Sequence, residues 1–161
     1  MTTVFAPSLD VGSNTIGAVA ASLNALLADT FTLYLKTKAF HWHVSGPHFR
    51  DYHRLLDEQA AQVLARTDEI AERVRKLGAS SLRSIGEIQR HQRLSDNEVE
   101  ELDARAMLQA LRADNIALIA SLKDLKALAD TAGDNATSGM VDTWTDEAER
   151  RSWFLGAALA A

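Results

Sequence analysis

Five residues between positions 41 and 72 have the chemistry to hold a metal ion: His41, His53, Asp57, Asp68 and Glu72. His53 and Asp57 stand at i,i+4, as do Asp68 and Glu72, so each pair lies on one helix face and can share an ion. The pairs are too far apart to share the same ion. His53 and Asp68 are separated by about 22 Å along a helix. A two-fold axis between the pairs solves the problem. It lays two copies of the helix antiparallel and sets His53 and Asp57 of one copy beside Asp68 and Glu72 of the other. A two-fold contact is self-complementary and makes two such sites. Imidazole with carboxylate suits Fe(II) or Zn(II), and a set of so few protein ligands leaves room for water or peroxide.

The element that must position these groups is a helix predicted over 47–77. Pro47 suits a first turn, Ser45-Gly46 before it is a turn signal, and Gly78 is a stop. At about 100° per residue, Leu56, Val63, Ile70, Val74 and Leu77 form a core sector, while Glu58, Gln62, Arg66, Glu69, Arg73 and Lys76 form a solvated one. The third sector carries His53, Asp57, Asp68 and Glu72 among Ala60, Ala61, Leu64 and Ala71. Arg75 falls there too, and Leu55 falls in the solvated sector, so the sorting is imperfect. A core face seldom carries three acids and a histidine. A solvated face needs no alanines between its acids. A close interface around a cation satisfies both, because the ion compensates the buried carboxylates. The alternative is a plain surface stripe of acids.

The remaining elements follow in order. A tail is expected over 1–13 and a single all-α domain over 14–161, large enough for its own core. The first helix is expected over 14–44. Ala20, Leu27, Tyr34 and His41 recur every seven residues, with Leu23, Thr30 and Thr37 between them, so His41 ends a mostly apolar stripe. His43 and His48 read as surface histidines, and Trp42 as either a packing residue or one that accepts an electron during oxidation. A connection over 78–94 holds a short helix at 84–91, in which Glu87 and His91 read as a surface pair. Ser95 to Glu98 fits a capping box, and the next long helix is expected to start there or a few residues later. Leu108, Leu111, Asn115, Leu118, Leu122, Leu125 and Ala129 are its core stripe. After Gly133-Asp134-Asn135, the last helix is expected over 136–159, with Val141, Trp144, Ala148, Ser152, Leu155 and Leu159 on one face. These make a four-helix bundle with a crossover between the second and third long helices. No Glu-x-x-His occurs, so a di-iron site inside the bundle has no support.

The chain has no cysteine, which excludes disulfides and thiolate sites. No apolar run is expected to reach membrane-spanning length, and the start lacks a signal-sequence pattern, so a cytoplasmic location is the expectation. The formal charge is −5, and the first basic residue is Lys36.

The pattern Lys38-x-x-His41-Trp42-x-x-x-Gly46-x-x-Phe49-x-x-x-His53-x-x-x-Asp57, followed by Asp68-Glu69-x-x-Glu72-Arg73, resembles the Dps family of miniferritins, and the likeness extends to Trp153-Phe154. The resemblance implies a ferritin-like four-helix bundle with a short extra helix between helices 2 and 3. It implies a hollow dodecamer built from two-fold dimers. It also implies ferroxidase sites at the dimer interface, with His41, His53 and Asp57 from one subunit and Asp68 and Glu72 from its neighbour. Fe(II) would be oxidised there, preferably by hydrogen peroxide, and stored as ferric mineral, protecting against oxidative damage. Zinc would act as a surrogate ion. Trp42 would serve as an electron donor. Asp130, Asp134, Asp142 and Asp146 would line an acidic pore on a three-fold axis and draw in Fe(II). Their other reading is a wet loop and helix start, where Asp is favoured anyway. The alternative function is a DNA-compacting, nucleoid-associated shell. It is disfavoured because sequence-independent DNA binding needs cations on phosphates, and neither 1–13 nor 152–161 contains Lys or Arg.

Overall fold

The computed structural model describes residues 13–160. Five helices are present and, among the described residues, no strand: α1 (Ser13–His43), α2 (Phe49–Lys76), α3 (Ile85–His91), α4 (Ala104–Thr131) and α5 (Asn135–Leu159). Apart from Ser13, which begins α1, the expected tail lies outside the described residues.

Two hairpins build the bundle. Residues 44–48 turn α1 into α2, and 132–134 turn α4 into α5. Polar contacts give the directions. Gln59, Arg66 and Arg73 of α2 meet Arg151, Glu147 and Asp134 in turn, so α2 and α5 run antiparallel. Between α4 and α5, Arg105 reaches the Leu159 carbonyl and Lys126 reaches Asp142, so these are antiparallel as well. The connection from α2 to α4 must therefore travel the length of the bundle. It does so along α1, where Asn24 donates to the Ser80 carbonyl and Thr32 bonds Gln92.

The core is the one the periodicity predicts. Leu23, Leu27, Leu56, Val63, Ile70, Leu111, Leu122, Val141 and Leu155 are fully buried. Thr30 and Thr37 sit in the α1 stripe because each hydroxyl donates to the carbonyl one turn back, at 2.7 Å. α2 ends as Gly78 predicts. Its φ of 84° lies in the left-handed region, and the Ala79 N–H closes back on the Val74 carbonyl at 3.2 Å.

Three expectations need correction. The capping box at Ser95 to Glu98 starts no helix; α4 begins at Ala104, capped by Asp103, whose Oδ1 accepts from the Ala106 N–H at 2.7 Å. The cause is Asp29, only 1% exposed on α1. Its carboxylate takes the Arg93 and Leu94 N–H groups at 2.6 and 3.0 Å and the Arg93 guanidinium at 2.8 Å, pinning this stretch against α1. The sector of α2 read as solvated is also not free. Arg66, Glu69 and Arg73 bond Glu147, Trp144, Thr137 and Asp134, all on α5 or its cap. Finally, α1 is long and apolar enough to cross a membrane, contrary to the expectation. It packs against α2, α3 and α4, and 56% of its most apolar window is buried there.

Candidate metal centre

The α1–α2 turn decides where the first three candidates go. Gly46 adopts a φ of 107°, which a side-chain-bearing residue would resist. The turn folds α2 back so that the His41 and His53 rings stack with centroids 3.8 Å apart. The two residues are bonded reciprocally. His41 Nδ1 lies 2.7 Å from the His53 carbonyl, and His53 Nδ1 lies 2.8 Å from the His41 carbonyl. A carbonyl only accepts, so each Nδ1 carries a proton and donates it. When neutral, each ring therefore keeps its lone pair on Nε2, the tautomer that binds metal.

Asp57 stands one turn beyond His53. Its Oδ1 lies 3.9 Å from His41 Nε2. Two ligands of one tetrahedral ion, each bonded at about 2.1 Å, stand about 3.4 Å apart, so a small closure would let these atoms share an ion. The same Oδ1 is in direct contact with the Lys38 ammonium. That hydrogen bond holds the Asp57 carboxyl below its usual range, against a smaller opposing effect of desolvation, and the charges of Lys38, His41 and His53 add to it.

Asp68 and Glu72 lie far along α2 from this cluster, and both are exposed. Glu72 has only a loose pairing with Lys76 at 3.7 Å. Among the described residues, no three His, Cys, Asp or Glu of one chain converge on a common point. One chain thus presents its candidate ligands as two separate groups, one at the α1–α2 hairpin and one farther along α2.

The surroundings are open and partly apolar. Leu35, Lys38 and Trp42 share a face of α1, at i, i+3 and i+7, and the Lys38–Asp57 contact sets that face beside the acids of α2. Trp42 is 58% exposed, so it is not packed inside its own chain. Leu35, Phe49 and Leu64 are also exposed large apolar residues. His43 and His48 are exposed, as expected.

The four acids of the expected pore fall into two kinds. Asp134 is turned into its own chain. Its side chain is 3% exposed, caps α5 by accepting from the Thr137 N–H at 3.0 Å, and pairs with Arg73 at 2.6 Å. That carboxylate is consumed by the fold. Asp130, Asp142 and Asp146 are exposed. Asp130 accepts from the Ser138 hydroxyl, and Asp142 pairs with Lys126 at 2.8 Å.

The contact between α2 and α5 holds polar groups of another kind. Arg66 pairs with Glu147 and Glu69, and the Trp144 indole N–H donates to Glu69 at 3.0 Å. Arg151 is buried, donates from Nε to Asn115 at 2.9 Å, and is pulled down to about 10 by burial. A buried guanidinium sits among these acids, a poor place for a second cation.

Sequence reasoning gave Lys38 no role, although the residue was quoted in the pattern. Its spacing of three before His41 put it on the right face, but its partner lies on another helix. Arg151 was missed because it interrupts an apolar face with no local signal.

Comparison with known proteins agrees with this fold. A family model for a ferritin-like domain matches residues 20–161. The DNA protection during starvation protein of Brevibacillus brevis is 31% identical over 141 residues, covering 88% of this chain and 94% of that one. DNA protection during starvation protein 1 of Deinococcus radiodurans is 32% identical over 141 residues, covering 88% of this chain and 68% of its own. Among solved structures, Dps from Thermosynechococcus elongatus superposes with a TM-score of 0.89 at 27% identity, over 92% of this chain and 95% of that one. Dps from Vibrio cholerae, described as a member of a broad superfamily of ferritin-like diiron-carboxylate proteins, gives 0.89 at 26% identity, over 99% of this chain and all of the other.

Proposed function

Since the chain belongs to the Dps branch of the ferritin-like family, we propose that it stores and detoxifies iron by oxidising Fe(II) at sites shared between two copies. The observation that carries this is the reciprocal His41–His53 pairing. It costs both rings their Nδ1 protons as donors to backbone and leaves both Nε2 lone pairs available, beside an ionised Asp57. The exposure of Asp68 and Glu72 across alanines supports a second copy of α2 lying antiparallel and completing the ligand set.

The two imidazoles hold Fe(II) and leave part of its coordination sphere for oxidant. The carboxylates of Asp57, Asp68 and Glu72 offset the ion's charge and favour the ferric product. With hydrogen peroxide, two Fe(II) each give up one electron, the O–O bond breaks, and the oxygens leave as hydroxide or water. The ferric ions hydrolyse, release protons and pass to a mineral inside a closed shell, which we take to be the dodecamer of the family. No side chain acts as a nucleophile. Trp42, exposed beside Lys38 on the same face, is placed to give an electron when oxidant outruns iron. Asp130, Asp142 and Asp146 are the acids left to draw Fe(II) into the shell.

Protection of DNA, the property in the relatives' names, needs no contact with DNA in this reading. Removing Fe(II) together with peroxide removes the source of hydroxyl radical. The test is optical: Fe(II) oxidation by purified protein, with peroxide and with air in parallel, and a size measurement on the same sample. Fast peroxide-driven oxidation by a large shell is expected. A large shell that oxidises no faster than buffer would contradict the ferroxidase reading.

A further inference from the structure

One oxygen in the candidate centre is wanted twice. Asp57 Oδ1 faces His41 Nε2 across 3.9 Å and is at the same time in contact with the Lys38 ammonium. An ion held by His41 Nε2 and that oxygen would have to take the approach the ammonium occupies, because like charges do not share one carboxylate oxygen cheaply. Lys38 is not a loose surface lysine. Its side chain is 25% exposed, against 62% for Lys76, whose contact with Glu72 is a long 3.7 Å. Of the three candidate carboxylates, Asp57 is the one with a close ammonium partner.

We propose that Lys38 is the resident counter-ion of Asp57 and sets the affinity of the centre by competing with the metal for that carboxylate. The proposal rests on the shared-site reading above. In the metal-free protein the ammonium keeps Asp57 ionised, aimed at His41 and neutralised. Metal binding is then an exchange of one cation for another: the ammonium leaves Oδ1 as the metal–oxygen bond forms. Asp68 and Glu72 of a second copy bring the extra negative charge that tolerates the displaced ammonium nearby. The exchange keeps the interface from carrying several uncompensated carboxylates while it waits for iron.

The test uses Zn(II) titration calorimetry on the assembled full-length protein. Wild type is compared with Lys38→Met and Lys38→Arg, and Asp57→Asn is the control that locates the zinc. Lys38→Met removes the competitor and keeps the apolar stem, so zinc binding should tighten by about fivefold, the equivalent of a modest ion pair. Lys38→Arg keeps a competing cation and should stay close to wild type. The tightening should survive about 0.5 M salt, which screens the field of a bystander charge. Zinc binding by Lys38→Met that is equal to or weaker than wild type overturns the proposal, as does tightening that vanishes at high salt. If Asp57→Asn leaves the zinc isotherm of wild type unchanged, zinc is not held at this centre. The shared-site reading then fails, and this one with it.

Discussion

The imidazoles of His41 and His53 hold each other's tautomer: each Nδ1 is fixed by the other residue's backbone carbonyl, at 2.7 and 2.8 Å, with the rings stacked between α1 and α2. The arrangement is a helix staple and, in the proposed centre, a ligand pair. Metal affinity and stability of the hairpin are therefore coupled at these two residues.

His53→Ala removes one ligand and one of the two staples. Without metal it should cost about 1 kcal/mol, the net worth of an intramolecular hydrogen bond. With Zn(II) in excess it should abolish the metal-dependent stabilisation, about 2.7 kcal/mol for wild type at 100 times Kd, and with it the rise in Tm. Thermal unfolding with and without zinc measures both. A zinc-dependent rise that survives in the variant would remove His53 from the ligand set.

Trp144→Phe tests the polar interior. The indole N–H holds the Glu69 carboxyl below its ordinary 4.5, with Arg66 contributing and burial opposing. A carboxyl lowered in the folded state contributes stability above its unfolded pKa and loses it as the pH falls through the folded value. Wild type should therefore exceed the variant by about 1 kcal/mol at pH 7, discounted for the partial exposure of Glu69. The gap should close as the pH drops below about 4.5. A gap unchanged by pH would show that Glu69 is not the group concerned.

The polar interior and the crossover also mark the limit of what can be read from residues alone. The buried faces of α1, α4 and α5 were legible because burial repeats with the helix. Leu108, Leu111, Asn115, Leu118, Leu122, Leu125 and Ala129 are all buried as the period requires. The two proposed ligand pairs rest on the same kind of signal, since i,i+4 spacing is a local property. The start of α4 was not. Ser95 to Glu98 satisfies a local capping rule, but Asp29, more than sixty residues earlier, captures the backbone just before it. The solvated face of α2 was misread because its charges find partners on α5, and the Lys38–Asp57 contact joins two helices. Pairings between distant segments leave no periodic trace.

Asp29→Ala measures how much the crossover depends on that one carboxylate. It strands the buried Leu94 N–H and the half-buried Arg93 N–H and releases the Arg93 guanidinium. A loss of about 3 kcal/mol in denaturant unfolding is expected. Amide exchange should speed up over 92–103 well before it does in α4. Unchanged protection there would mean that packing of Leu94, not the carboxylate, holds the segment.

The shared site is tested most directly by mixing subunits. One variant carries His53→Ala with Asp57→Ala, and the other carries Asp68→Ala with Glu72→Ala. Each should assemble and fail to oxidise Fe(II) rapidly. When the two are co-assembled in equal amounts, half of the two-fold pairs are mixed. Each mixed pair contains one site built wholly from intact residues and one built wholly from altered ones. About a quarter of the wild-type sites should then work, and the initial rate of peroxide-driven Fe(II) oxidation should return to about a quarter of wild type. A mixed shell as inactive as its two parents would contradict a site completed by a second copy of the chain.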